Sequence, residues 1–243
     1  MGQNTNKYAL DVFGEALLDY LNKNYTEDII TYSSLNEKDS MPLPYLFRDF
    51  QTMPKLEQKA LQLCKGSTLD IGAGAGSHSL YLQEKGLQVT ALDSSAGAIQ
   101  TCKLRGVKNV ILSQLIDFSG IKFDTLLLLM NGIGIVKKIL NLDSYLKHLK
   151  TLLNPSGQIL LDSSDIIYMF DQEKDGSYWA PQHSNYYGEV KFTLEYKGKK
   201  STPFWWLYLD YNTLKRAAEA NNFRCSLVSE GKHYDYLARL EIN

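Results

Sequence analysis

Residues Thr68 to Gly76 read Thr-Leu-Asp-Ile-Gly-Ala-Gly-Ala-Gly, a short apolar run closed by glycines at alternate positions. Few segments constrain a fold so tightly. Gly72, Gly74 and Gly76 let the backbone turn sharply and come close to whatever lies above it. The stretch after them, Gly76 to Lys85, has helical character, with Leu80, Tyr81 and Leu82 giving it an apolar side and Gly86 stopping it. A helix that starts straight after a glycine turn presents unpaired N–H groups and a partial positive charge. Strand, glycine loop and helix in that order predict the first unit of a doubly wound α/β sheet with a ligand at the turn.

The downstream sequence repeats the unit. Leu87 to Leu92 reads as a second strand, and Ser95 as the N-cap of a helix ending at Gly106. Val110 to Leu112 is a third strand. Phe123 to Met130 is almost continuously apolar, as a central parallel strand covered on both faces requires. A helix over Leu142 to Leu153, a turn at Asn154 to Gly157 and a fifth strand at Gln158 to Asp162 complete the alternation. Short connections of this kind imply right-handed crossovers and a mostly parallel sheet.

Two regions depart from the pattern. Residues 1–65 are expected to form a helical N-terminal cap, with a helix over Tyr8 to Leu21, an aromatic loop MPLPYLFRDF, and a helix carrying Pro54 in its first turn. Residues 169–209 form an insertion containing a β-hairpin, with Glu189 to Tyr196 outward, a Lys197 to Lys200 turn, and Phe204 to Leu209 back. A helix over Asn212 to Asn221 and two strands close the chain.

Composition excludes several classes. The 243 residues hold 26 Lys and Arg against 27 Asp and Glu, and no long basic run supplies a nucleic-acid surface. No apolar run is long enough to cross a membrane, and the start lacks the pattern of a secretory leader, so a cytoplasmic protein is expected. Cys64, Cys102 and Cys225 are scattered and odd in number, which reads as free thiols in a reducing compartment. The four histidines are isolated, so no metal site is expected, and His78 reads as a packing or capping residue rather than a base.

The ligand candidates lie where the strands of an open α/β sheet end. Asp70 stands two residues before the first glycine, where a negative group suits an ammonium better than a phosphate or else anchors the loop through backbone N–H groups. Asp93 ends the second strand, where a carboxylate can accept hydrogen bonds from both ribose hydroxyls, and Ser94 follows it. Asp117 and Phe118 follow the third strand, placed to pair an adenine amino group and cover its ring. Asn131 caps the fourth strand.

Together these residues resemble the class I S-adenosylmethionine-dependent methyltransferases. That family's first motif is matched by Asp70, Gly72, Gly74 and Gly76, with Ala73 inside it. Its second-strand acid is matched by Asp93-Ser94-Ser95, its third-strand acid by Asp117, and its fourth strand by Phe123-Asp124-Thr125-Leu126. Its entry to the fifth strand is matched by Leu153 to Ile159, and its last helix by Leu214 to Phe223, with Asn222 where glycine is common. The resemblance covers about residues 60–165 and 210–243. It implies a Rossmann-like, seven-stranded, mostly parallel sheet with an antiparallel last strand. It also implies S-adenosylmethionine as cofactor, held by Asp70, Gly72, Ala73, Gly74, Gly76, Asp93, Ser94, Asp117, Phe118 and Asn131.

The acceptor is expected to be a small molecule, and the protein a monomer or homodimer. Aromatic residues outside the alternation could cover a planar or cationic acceptor as a lid: Tyr45, Phe47, Phe50, Tyr168, Tyr178, Trp179, Tyr186, Tyr187, Trp205 and Trp206. Tyr45 is a substrate candidate, and Arg48 could clamp a substrate carboxylate or pair with Asp49 or Glu57. No catalytic base can be read, because methyl transfer chiefly needs alignment in a dry site. Two alternatives stand beside this reading. One is a Rossmann-type NAD(P)-dependent oxidoreductase, since Tyr187 with Lys191 and Tyr196 with Lys200 have the Tyr-x-x-x-Lys spacing, although in a strand-like segment. The other is a cofactor-binding protein without transferase activity. Asn131-Gly132-Ile133-Gly134 lacks the Pro-Pro-aromatic pattern of enzymes that methylate DNA amino groups.

Overall fold

A computed structural model of the chain describes residues 10–170 and 186–243. Its elements run α1 (Val12–Leu21), β1 (Ile29–Ser33), β2 (Lys38–Met41), α2 (Leu43–Leu46), α3 (Lys55–Leu63), β3 (Ser67–Ile71), α4 (Ser77–Glu84), β4 (Gln88–Asp93), α5 (Ala96–Arg105), β5 (Asn109–Leu112), β6 (Phe123–Leu128), α6 (Leu142–Thr151), β7 (Leu153–Ser164), β8 (Glu189–Tyr196), β9 (Lys199–Lys200), β10 (Phe204–Leu207), α7 (Tyr211–Ala220), β11 (Phe223–Glu230) and β12 (Asp235–Ile242).

The main sheet has seven strands in the order β5-β4-β3-β6-β7-β12-β11. The first five are mutually parallel, and β12 runs antiparallel between β7 and β11. This is the Rossmann-like arrangement the sequence implied. Side chains of a strand alternate between faces, so burial on both sides needs apolar residues at every position. Leu126, Leu128, Ile159 and Leu161 face α6 and α7, packing with Leu146, Leu149, Leu214 and Ala218. Leu127, Leu129, Leu160 and Leu237 face the opposite side, against Leu56, Ala60 and Leu61 of α3 and Leu82 of α4. The unbroken apolar run of β6 is the record of those two cores.

Strand β7 begins earlier than the turn residues Asn154 to Gly157 suggested. Its pairing with β6 jumps from Phe123–Leu153 to Thr125–Gln158, so those residues form a bulge inside the strand rather than a turn before it.

A second sheet, antiparallel, has the order β10-β8-β1-β2, with β9 also on β8. Its strands come from both regions outside the alternation. The insertion supplies β8 to β10, and the N-terminal segment supplies a β1–β2 hairpin that its periodicity did not signal. Ile30 to Ser33 pair with Phe192 to Glu195, joining the two. Phe192, Leu194, Phe204 and Trp206 share one face of this sheet, while Lys191, Thr193 and Trp205 share the other. Leu194 and Phe204 pack with Val12, Ala16, Leu17, Leu43 and Leu46, and with Met130 beyond the end of β6. The expected start of the first helix at Tyr8, and the lid aromatics Tyr178 and Trp179, lie outside the described residues.

Helix α1 lies directly on α5. A Cβ on Gly97 would stand 2.5 Å from the backbone of Gly14, so only paired glycines permit that crossing. Asp11 caps α1 through the Gly14 amide (2.9 Å) and also accepts from the Ser95 hydroxyl (2.8 Å) and the Gly97 amide (2.9 Å) at the start of α5.

Candidate active site

The site is built at the carboxyl ends of β3, β4, β6 and β7. Gly72, Gly74 and Gly76 all take positive φ, at 76°, 55° and 82°. Side chains would be strained there, and at Gly76 a Cβ would also press within 2.9 Å of the Cys102 sulfur. Above Gly74 the space is open except for the tip of the Phe13 ring, 3.8 Å from a built Cβ. Near Gly72 it is bounded by Ile135, from the segment following β6. The loop is therefore a cradle that a ligand can approach closely. Ala73 is buried, its amide bonded to the Leu92 carbonyl beside that of Gly72.

Asp93 ties this loop to the next. Its carboxylate accepts the Gly74 amide at 2.9 Å and the Ser95 amide at 2.8 Å. Burial pushes its pKa up, against the pull of those two amides and with Asp11 and Asp70 adding to the rise. Each oxygen keeps a free acceptor direction, which suits a diol above it. Ser94 is exposed beside it. Asp117 is exposed at the end of a 3₁₀ turn after β5.

Three candidates are placed differently from their expected roles. Phe118 is a core residue, 7% exposed and tilted against Phe123 at 6.2 Å, so its ring is not available to cover a ligand. Asp70 is 1% exposed and accepts the Ser79 hydroxyl at 2.6 Å, which anchors α4 beneath the loop instead of facing an ammonium. Its burial raises its pKa, with His78 and Ser79 opposing. Arg48 is no free clamp. Its guanidinium bonds both oxygens of Glu57 and the Tyr45 carbonyl, and it lies 3.9 Å from the centre of the half-exposed Tyr45 ring. Of the two readings offered by the sequence, the Glu57 pair is the one formed, although buried rather than at the surface.

Glu57 also meets His78 Nε2 at 2.8 Å. Burial opposes charge on His78, but the Glu57 bond and the negative charges of Asp70 and Glu57 outweigh it and raise its pKa. Burial likewise opposes charge on Glu57, and His78 and Arg48 together lower its pKa nonetheless. Arg48, Glu57 and His78 thus form a buried charged triad tying the N-terminal segment to α4. The isolated histidine gave no hint of it, because its partner lies 21 residues away in sequence.

Asn131 sits where the main sheet meets the second one. It and Met130 adopt left-handed backbone, with φ of 55° and 63°. Its side-chain oxygen accepts from Ser164 (2.9 Å) and its carbonyl from the Trp206 indole (3.1 Å). Gly134 lies so close under that indole that a Cβ would overlap it. Asp162 accepts the Met130 and Gly132 amides at 3.1 and 3.3 Å. Asp11, Phe13, Asp162 and Ser164 escaped the sequence reading, while Glu57 entered it only as a partner for Arg48 and Trp206 only as a lid aromatic. Only Asp162 carried a signal, as an acid ending a strand just as Asp93 does.

The description "Methyltransferase domain" fits the family that matches residues 43–196. A solved methyltransferase from Bacteroides fragilis, dependent on S-adenosylmethionine and crystallised with S-adenosyl-L-homocysteine, is 42% identical. It matches over 96% of this chain and 94% of its own, with a TM-score of 0.88. This chain belongs to the S-adenosylmethionine-dependent methyltransferases. More distant solved structures share the fold with this methyltransferase. A sugar N-methyltransferase from Streptoalloteichus is 13% identical over 77% of this chain and 85% of its own, TM-score 0.54. An amino pentose methyltransferase from Micromonospora echinaspora is 13% identical over 80% and 94%, TM-score 0.54. A search of curated proteins finds no match.

The methyltransferase therefore uses S-adenosylmethionine, and the oxidoreductase reading falls. Tyr187 and Tyr196 do not share a helix with Lys191 and Lys200. All but Tyr187 lie in β8 or β9, Tyr196 bonds Asp19, and Lys200 pairs with Glu195.

Proposed function

We propose that this methyltransferase acts on a small-molecule acceptor, enclosed between the carboxyl edge of the main sheet and the second sheet, with residues 1–65 as cap and 169–209 as acceptor lid. The observation carrying this reading is the second sheet itself. It is assembled from both regions, turns Phe192, Leu194, Phe204 and Trp206 to one face, and is fastened to the site by Trp206 on Asn131 and Gly134. A groove for a nucleic acid would call for uncompensated Lys and Arg there, whereas the exposed Lys197, Lys199 and Lys200 of this sheet pair with Asp19, Glu15 and Glu195. The two distant relatives are named for sugar substrates, which agrees with a small acceptor.

We assign cofactor contacts to Gly72, Ala73, Gly74, Gly76, Asp93, Ser94, Asp117 and Asn131. S-adenosylmethionine supplies an electrophilic methyl group on a sulfonium. The chain's task is to hold it and the acceptor in line and keep water out. Gly74 and the amides around it leave room for close approach, Asp93 accepts from the ribose, and Phe13 and Ile135 close the sides. Tyr45, half-exposed beside the same edge, is the acceptor contact retained from the N-terminal segment.

Incubating the protein with methyl-labelled S-adenosylmethionine and a whole-cell extract, then separating by size, tests this reading. Label is expected in the low-mass fraction. Label confined to protein or nucleic acid would overturn it.

A further inference from the structure

The turn after β6 is held in a shape its residues do not favour. Met130 and Asn131 are consecutive non-glycine residues in left-handed backbone. Asn tolerates that region, but Met130 is strained in it and persists there only because its surroundings over-determine the turn. Three side chains from two strands do so here: Asp162 of β7 on the Met130 and Gly132 amides, Ser164 of β7 on the Asn131 side chain, and Trp206 of β10 on the Asn131 carbonyl. Ser164 and Trp206 each reach the turn through one neutral bond. Asp162 grips two amides at once, and the Asn131 amide also favours its charged form. The next residues run on to Ile135, which borders Gly72. The shape of the turn therefore sets one wall of the glycine cradle.

We propose that Asp162 is a positioning residue for the cofactor: its ionised carboxylate holds the Met130–Gly132 turn in the shape that completes the cofactor site, so cofactor affinity depends on its charge. The proposal rests on the assignment of Asn131 and the glycine loop to that site. Charge-assisted bonds to amides are about twice as strong as neutral ones, so protonating Asp162 loosens the turn where Ser164 and Trp206 alone cannot hold it.

The protonation falls in an accessible range. Burial pushes Asp162 up to about 7, opposed by the Gly132, Met130 and Asn131 amides and reinforced by the charge of Glu57. The groups facing it are Glu57 of α3 and Tyr45 of α2, with Arg48 and His78 on the far side of Glu57. His78 is the one among these whose ordinary titration lies nearby, so the test must separate the two.

The experiment measures S-adenosylhomocysteine affinity by calorimetry from pH 6 to 8 for the wild type, Asp162→Asn and His78→Gln. The wild type is expected to weaken about tenfold from pH 8 to pH 6, the ratio of ionised fractions for a group titrating near 7. Asp162→Asn should bind more weakly at pH 8 and show no such slope, while His78→Gln keeps it. A flat wild-type profile overturns the proposal, as does a slope retained in Asp162→Asn. If Asp162→Asn fails to fold, the outcome with His78→Gln decides: loss of the slope there assigns it to His78 and overturns the proposal, and retention supports it. Asp93→Ala, by contrast, tests the site itself and should weaken binding at pH 8. If it leaves binding unchanged, the site assignment itself fails, independently of Asp162.

Discussion

Replacing Glu57 with Gln removes the charge on which Arg48 and His78 converge. The side chains of Arg48 and Glu57 are each 4% exposed and that of His78 is 10% exposed, so solvent can neither screen the triad nor replace its missing member. A surface pair would cost about 0–1 kcal/mol. Breaking a buried pair and stranding its partner costs about 3–5 kcal/mol. Glutamine keeps the volume and one acceptor oxygen, which favours the lower figure. At roughly 2–4 °C per kcal/mol for a chain of this size, the melting temperature should fall by about 6–12 °C.

The pH dependence of that loss identifies its origin. His78 has a raised pKa when folded, so its stabilisation is complete below the ordinary histidine value and disappears as pH rises through the raised one. Glu57 has a lowered pKa, so its contribution is present above the ordinary carboxyl range and is lost as pH falls through the lowered one. The gap between wild type and variant should therefore be widest near pH 5.5 and narrower at pH 9. Urea unfolding at those two values reads it directly. A melting shift below about 2 °C, or a gap no narrower at pH 9, would refute the claim that the triad holds the N-terminal segment to α4.

Asp93→Ala should weaken S-adenosylhomocysteine binding by about 1–3 kcal/mol in calorimetry, the range for losing a charge-assisted bond, and neither NAD nor NADP should bind the wild type. Gly97→Ala puts a Cβ 2.5 Å from the Gly14 backbone and should destabilise the protein by about 1–3 kcal/mol of overpacking, visible as a lower urea midpoint. Native protein should react slowly with a thiol reagent at pH 8 and rapidly in urea. Burial raises the pKa of Cys64 and Cys102 to about 12 and of Cys225 to about 11, and leaves almost no thiolate.

Much of the main sheet was legible because its strands are buried on both faces and bounded by glycine or proline. The β6 run and the Leu69-to-Gly76 unit each admit one parallel-strand reading, and the caps Ser95 and Gly106 stand where they were expected. The β1–β2 hairpin was not legible. Lys38, Asp39 and Ser40 are exposed, and β2 is an edge strand, so no face of it writes a period-2 apolar pattern. Its existence depends on pairing with β8, some 160 residues later, and nothing local records that. The bulge in β7 was hidden for a related reason: Asn154-Pro155-Ser156-Gly157 carries turn chemistry, and the register jump uses it inside a strand.

The site divides along the same physical line. Backbone requirements are written locally, so the positive φ of Gly72, Gly74 and Gly76 could be read from residue type alone. Roles that depend on where a side chain points could not. Chemistry and position point Asp70 and Phe118 to the ligand and leave Arg48 between a substrate carboxylate and an acidic neighbour, and each is occupied within the fold: by Ser79, the core around Phe123 and Glu57. An acid or arginine near a strand end is available to a ligand only if no buried partner claims it first, and those partners are distant in sequence. Asp93 and Asp162 are both held by loop amides rather than by cations, and a carboxylate so held can still accept further bonds. Glu57, held by the Arg48 and His78 cations, is by contrast neutralised within the fold, and the fully buried Asp70 is claimed by Ser79.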